Sequence, residues 1–283
     1  NRSIFFSNDD EVKHFLEKRS IENSKKHQQP ATLNVKSNLD KLTLNDMQVF
    51  RFNFRHEKNQ KILYLHGGYN TLQPSPFHWR LLDKLTLNTL HEVVLPIYPK
   101  SPDYHYLETF KAIRDVYNQL VEEVGADNIV MMGDGSGGGL ALSFVQSLIN
   151  DNQEVPRKLF LLSPLLDATL TNPNITKTLE ENDILVSRFG VHQLMKSWAN
   201  DLPLSDARIS PLYGTLKGLP PIYMYGGGRE ILSPDMHAFT HALEECGNDV
   251  EFKEYPKMVH DFPFYPIRQS HKVLKHITKS ILE

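Results

Sequence analysis

Cysteine is nearly absent from this 283-residue sequence: Cys246 stands alone, so there is no internal disulfide and no multi-cysteine zinc site. Its setting, Glu244-Glu245-Cys246-Gly247, reads as a helix end where acids oppose thiolate formation, which suits a thiol nucleophile poorly. Long apolar runs are missing too, since none approaches the ~18 residues of a membrane span. Net charge is only -3, so no global electrostatic case exists for nucleic acid or an anionic membrane as the main partner. Internal repeats and low-complexity tracts are also lacking. Position 1 is Asn rather than Met, so the sequence is expected to begin inside a longer product. Localisation, any upstream signal or anchor, and oligomeric state are left open.

What is present is ordinary for a soluble globular chain: 40% hydrophobic and 23% charged residues, with length enough for a large core. Asn8-Asp9-Asp10-Glu11 resembles a capping box, predicting a helix from residue 9 to about 20 that buries Val12, Phe15 and Leu16. A polar connector, Asn23 to Pro30, follows. Gln48 to Phe54 suggests an early antiparallel strand in which Val49, Phe50, Phe52 and Phe54 compete for one face.

From residue 61 short apolar runs alternate with helical patterns. The runs are Ile62 to Leu65, Val93 to Ile97, Ile129 to Met132, Leu159 to Leu162, Ile222 to Tyr225 and Val250 to Tyr255. Helical spacing marks Phe110 to Val124, Leu140 to Ile149, Met236 to Leu243 and Val273 to Ile281. Such alternation predicts an α/β chain, 1–283, with a doubly wound, mostly parallel sheet and ligands beyond the carboxyl ends of its strands. Residues 167–219 are too long for a simple crossover and read as a helical cap, to which residues 1–45 could add.

Three places after predicted strands carry chemistry, the third of them a pair of loops near the C-terminus. Gly133-Asp134-Gly135-Ser136-Gly137-Gly138-Gly139 reads as a strand-turn-helix junction whose only hydroxyl is Ser136. His66-Gly67-Gly68-Tyr69 could turn backbone N–H groups towards one point, as an oxyanion hole requires, or could be a plain tight turn. Gly226-Gly227-Gly228-Arg229-Glu230 and His260-Asp261-Phe262 complete the chain order serine, acid, histidine. A serine needs a base in contact, and the base needs an anion that fixes its tautomer. Ser136, His260 and Glu230 are the candidates, with Asp235 as reserve acid.

These motifs resemble the hormone-sensitive-lipase-like esterases of the α/β-hydrolase superfamily, from about residue 61 to the end. That branch carries an HGGG-type oxyanion loop, a GDSAGG-type elbow, a D-x-L acid motif and an HGF histidine motif. Here Tyr69 replaces a glycine, Glu230 an aspartate and Asp261 a glycine. Ser210-Pro211-Leu212 is similar to the tripeptide that ends the family's cap. The resemblance implies an α/β-hydrolase fold and carboxylesterase or lipase-like activity without metal or organic cofactor. It also implies a small ester substrate of short to medium acyl length, turned over through an acyl-enzyme. In the elbow, gap-free matching puts Gly135 where the family has serine and Ser136 where it has alanine. The expectation carried forward is a turn shifted by one residue, with Ser136 as nucleophile and Gly67, Gly68 and Gly137 donating to the oxyanion. The rival is a catalytically silent relative that binds a small molecule, which takes Gly135 as a lost nucleophile.

Two further patterns weigh little. Gly133-x-Gly135-x-x-Gly138 matches a dinucleotide fingerprint, but neither Glu154 nor Asp167 stands where its ribose-binding acid belongs. His237 and His241 share a helix face with no third ligand nearby. Phe77, Trp79, Tyr104 and Trp198 are candidates for pocket or core.

Overall fold

The computed structural model describes residues 5–53 and 60–283. Eight strands among them form one sheet: β1 (Asn38–Leu44), β2 (Met47–Asn53), β3 (Lys61–Leu65), β4 (Glu92–Pro96), β5 (Ile129–Asp134), β6 (Lys158–Leu162), β7 (Ile222–Gly227) and β8 (Val250–Tyr255). Their spatial order is β1-β2-β4-β3-β5-β6-β7-β8. The β1/β2 and β2/β4 pairs are antiparallel and all others parallel. Helices are α1 (Asp9–Asn23), α2 (Pro76–Thr89), α3 (Tyr106–Val124), α4 (Gly135–Asn150), α5 (Lys177–Asn182), α6 (Arg188–Ala199), α7 (Ser233–Glu245) and α8 (Arg268–Leu282).

Both faces of the central strands are covered, which is why they read as unbroken apolar runs rather than alternating ones. Successive side chains point to opposite faces. Leu63, Leu65, Met131, Leu159 and Leu161 therefore pack with Val116 and Leu120 of α3, Phe144 and Leu148 of α4 and Phe239 of α7. Ile62, Tyr64, Val130, Met132, Phe160 and Leu162 pack with Trp79 and Leu82 of α2 and with Val273 and Ile277 of α8. In β2 the expected competition for one face does not arise: Met47 and Val49 join the first layer, Phe50 and Phe52 the second. Phe54 lies outside the described residues.

The first helix starts where its cap predicts, with Asn8 accepting from the Glu11 N–H at 3.0 Å. Only Val12 is fully buried; Phe15 and Leu16 are half-buried against the first layer. Residues 38–44, inside the stretch read as N-terminal cap, instead form the sheet's edge strand β1. The 167–219 insertion holds α5 and α6 and is tied to the sheet's helices at several points. Trp198 Nε1 donates to Thr109 Oγ1 at 2.9 Å, and Gln146 Nε2 donates to the Pro211 carbonyl at 2.9 Å. No helix among the described residues is long and apolar enough to cross a membrane.

Candidate active site

At the carboxyl end of β5 the chain turns at Gly135, the first residue of α4, with φ of +52°. Side chains rarely tolerate that left-handed backbone, and glycine takes it without strain. A Cβ added there would lie 3.4 Å from His260 Nε2 and 3.7 Å from Asp261 Oδ2. The apex of the elbow, the point facing the histidine, is thus Gly135. Ser136 is the next residue, nearly buried, and its Oγ accepts from the Asn70 N–H at 3.3 Å. No hydrogen bond joins Ser136 to His260 among the described residues. The one-residue shift expected for Ser136 is absent for a steric reason. A Cβ on Gly133 would sit 2.4 Å from the Gly137 carbonyl oxygen, and one on Gly137 2.2 Å from that of Leu65, so close packing on both sides locks the register.

His260 and Glu230 do meet. Nδ1 donates to Glu230 Oε2 at 2.6 Å, and Glu230 is fully buried. The other carboxylate oxygen accepts from the Gly227 N–H and from Ser163 Oγ, each at 2.9 Å, so the acid is held on both sides. Nε2 faces a second carboxylate, Asp261 Oδ2, at 3.2 Å. Asp261 stands at φ +52°, in the place of the glycine of the HGF-type motif, and its N–H donates to Ser163 Oγ at 3.1 Å. Burial opposes charge on the imidazole, but Asp261 and Glu230 outweigh it and hold His260 well above its ordinary value. Burial, only partly offset by His260, pushes the Asp261 carboxyl up to about 7.

The reserve acid is elsewhere. Asp235, in the first turn of α7, accepts from Asn172 Nδ2 at 2.9 Å, and no hydrogen bond or ion pair joins it to His260 among the described residues. Glu230 takes the histidine because it lies on the loop directly after β7, beside the histidine loop that follows β8.

The oxyanion loop follows β3. Gly67 N–H, expected to point at a substrate, is spent on Asp134 Oδ1 at 3.0 Å. The same buried carboxylate accepts from Tyr64 at 2.7 Å and contacts His78 Nε2 at 3.0 Å. Asp134 therefore anchors this loop and does not crowd the apex. Gly68 N–H has no acceptor among the described residues and remains available. With Gly135 at the apex, the donor that follows it is the Ser136 N–H, one residue before the expected Gly137. That N–H belongs to the first turn of α4, where backbone donors lack intrahelical partners.

Comparison with known proteins gives this geometry its context. A family model described as the alpha/beta hydrolase fold matches residues 62–264. The chain belongs to the α/β-hydrolase family. This α/β-hydrolase is 33% identical over 208 residues to an esterase of Acinetobacter venetianus, covering 73% of the chain and 68% of the relative. It is 29% identical to a triacylglycerol lipase of Mycobacterium tuberculosis over 78% of the chain, but spans only 46% of that lipase. A crystal structure of a candidate esterase from Staphylococcus aureus superposes with a TM-score of 0.98 at 64% identity, over 100% of this chain and 96% of that one. A hormone-sensitive-lipase homologue from a metagenome library superposes at 0.81 with 25% identity, over 95% and 97% of the two chains. These relatives place the chain among the carboxylesterase/lipase-like hydrolases.

Other candidates of the α/β-hydrolase sequence fall outside the site. Trp79 and Trp198 are buried core residues, whereas Phe77 and Tyr104 are largely exposed. His237 pairs with Glu254 and the exposed His241 with Glu245. Cys246 is exposed at the end of α7. Ser163 and Asn70 also belong to the site and are not among the candidates that the sequence motifs mark. A serine just after a strand that ends at the ligand edge was the available signal for the first; nothing local marked the second.

Proposed function

We propose that this α/β-hydrolase hydrolyses small carboxylic esters of short to medium acyl length, with His260 and Glu230 handling the proton. The 2.6 Å contact between His260 Nδ1 and Glu230 Oε2 beneath the elbow apex carries this reading. It is the base-and-anion pair that ester hydrolysis needs, at the strand ends where ligands bind in such sheets. The Gly68 N–H and the N-terminal turn of α4 supply donors for a tetrahedral oxyanion; losing one such donor typically costs about 10²–10³ in turnover. The N-terminal helix and the 167–219 insertion would cover the acyl group.

The covalent form of this proposal passes through an acyl-enzyme on Ser136. It requires Ser136 Oγ to leave the Asn70 N–H and reach His260 Nε2. A second reading, a ligand-binding relative without turnover, draws support from the hydroxyl-free apex at Gly135. Assay with p-nitrophenyl acetate, butyrate and octanoate tests both: turnover above buffer, strongest on the shorter esters, is expected. Saturable binding of these esters without turnover would establish the second reading. Fluorophosphonate treatment and peptide mapping, beside Ser136→Ala, test the covalent route. A labelled Ser136 and an inactive variant support it; an active, unlabelled protein rejects it.

A further inference from the structure

His260 has a carboxylate on each ring nitrogen, Glu230 at 2.6 Å from Nδ1 and Asp261 at 3.2 Å from Nε2. A serine hydrolase keeps the Nε2 side for its nucleophile. Gly135 for serine and Asp261 for glycine, two departures from the esterase pattern, adjoin here, since a Cβ on Gly135 would lie 3.7 Å from Asp261 Oδ2. The hydroxyl missing from one position is answered by a carboxylate from the other. Aspartate at φ +52° is uncommon and mildly strained, and such conformations cluster at functional sites. Asp261 Oδ1 is buried and has no hydrogen-bond partner among the described residues, so one oxygen of this carboxylate is free to accept.

We propose that Asp261 is a catalytic residue, the base that activates water for direct attack on the ester carbonyl, so that turnover needs no serine-borne acyl-enzyme. The inference rests on the hydrolase reading above. In the step, water's oxygen forms the new bond to the carbonyl carbon while Asp261 takes its proton. The carbonyl electrons move onto the oxygen, beside the backbone donors. Collapse re-forms the carbonyl and breaks the bond to the alcohol oxygen, which takes a proton from the His260 imidazolium. The proton on Asp261 then returns to His260. Ester and water become acid and alcohol, with no oxidant or reductant.

Protonation supports this division of roles. An imidazole that Asp261 and Glu230 hold well above its ordinary value favours its charged form, which suits giving a proton to a leaving alkoxide better than taking one from a serine. A carboxyl at about 7 suits a base working near neutrality. The ionisable groups around Asp261 are His260, Glu230, Asp134 of the elbow, Tyr64, Tyr69, His78 and Tyr265. Of these, His260 opposes the upward shift while Asp134 and Glu230 add to it.

The test uses p-nitrophenyl acetate with the full chain, Asp261→Asn and Asp261→Gly; the glycine variant fits the left-handed backbone should the asparagine fold poorly. The wild type is expected to hydrolyse without a p-nitrophenol burst, without acyl transfer to added methanol and without fluorophosphonate labelling. Both variants should lose about 10²–10⁴-fold in kcat with little change in KM. Wild-type kcat/KM should fall as pH drops through about 7. Wild-type kcat in the folded variants, or a burst with a labelled serine, would overturn the inference and leave the hydrolase reading standing. No turnover by the wild type on any ester would overturn both.

Discussion

Two acids near the end of β7 have opposite fates, and the difference lies in what surrounds each carboxylate. Glu230 is fully buried but receives three donors, from His260, Gly227 and Ser163. Glu230→Gln keeps the shape and removes the anion. It should lower ester turnover by about 10²–10⁴-fold with an unchanged circular dichroism spectrum. Asp235 has Asn172 as its one donor and a buried Oδ2 without a partner among the described residues. Burial raises it from 3.8 to about 6, ahead of the opposing Asn172 bond. The sign follows from linkage: an acid raised by folding binds its proton more tightly in the fold, so stability falls as pH climbs from 3.8 towards 6 and is level above. Asp235→Asn should therefore raise the urea midpoint at pH 8 and leave it nearly unchanged at pH 4. Sequence order alone kept both acids open. Choosing between them needs the loop geometry after β7, and which hydroxyls reach the carboxylate is a tertiary fact. The elbow was half legible for the same reason. Its strand, turn and helix were readable, but the lock on its register comes from the Gly137 contact with Leu65, a residue of another strand.

Among the elements, the Gln48 stretch and the six apolar runs from residue 61 reappear as strands within a residue or two; the central ones, buried on both faces, leave a continuous apolar signature. β1 was missed: Asn38-Leu39-Asp40-Lys41-Leu42 is mostly exposed and carries no such signature. Helix α2 was missed although Ser75 and Pro76 mark its start and Trp79, Leu82 and Leu85 its buried face. The insertion was legible as a length anomaly, but its anchor was not. Asp183, between α5 and α6, is buried, accepts from the Leu185 and Val186 N–H groups and accepts from Ile231 N–H at 2.9 Å. It thereby fastens the insertion to the residue after Glu230. Hydrogen bonds to a charged group contribute about 1.5–3 kcal/mol each. Asp183→Ala should lower Tm and also raise KM for esters, whereas a purely structural loss elsewhere in the insertion would lower Tm alone.

The whole molecule rests on a sheet with helices on both faces and one charged cluster at its antiparallel side. Arg51 donates to Glu92 at 3.1 Å and to Glu123 at 2.8 Å, and Lys61 reaches Glu92 at 2.9 Å, joining β2, β3, β4 and α3. Removing one partner of a buried pair typically costs about 3–5 kcal/mol because the remaining charge stays buried. Glu92→Ala should reduce the unfolding free energy by about that amount in urea titration, with little effect on kcat in the folded fraction. Composition could not reveal this cluster, since its members are far apart in the chain and each, taken alone, reads as a surface charge.

The adjoining positions 135 and 261 also bear on how such a site changes over generations. Gly135→Ser alone sets a hydroxyl against the Asp261 carboxylate, with His260 Nε2 still engaged. Asp261→Gly alone frees Nε2 but supplies nothing to activate. Each single step should thus gain no fluorophosphonate reactivity, and only the pair should acquire it at the substituted elbow position. A double-mutant cycle on labelling rate would read this non-additivity directly. The serine-bearing and carboxylate-bearing forms of the site would thus stand two substitutions apart with an unreactive single variant on either side, so neither form is reached through the chemistry of one residue alone.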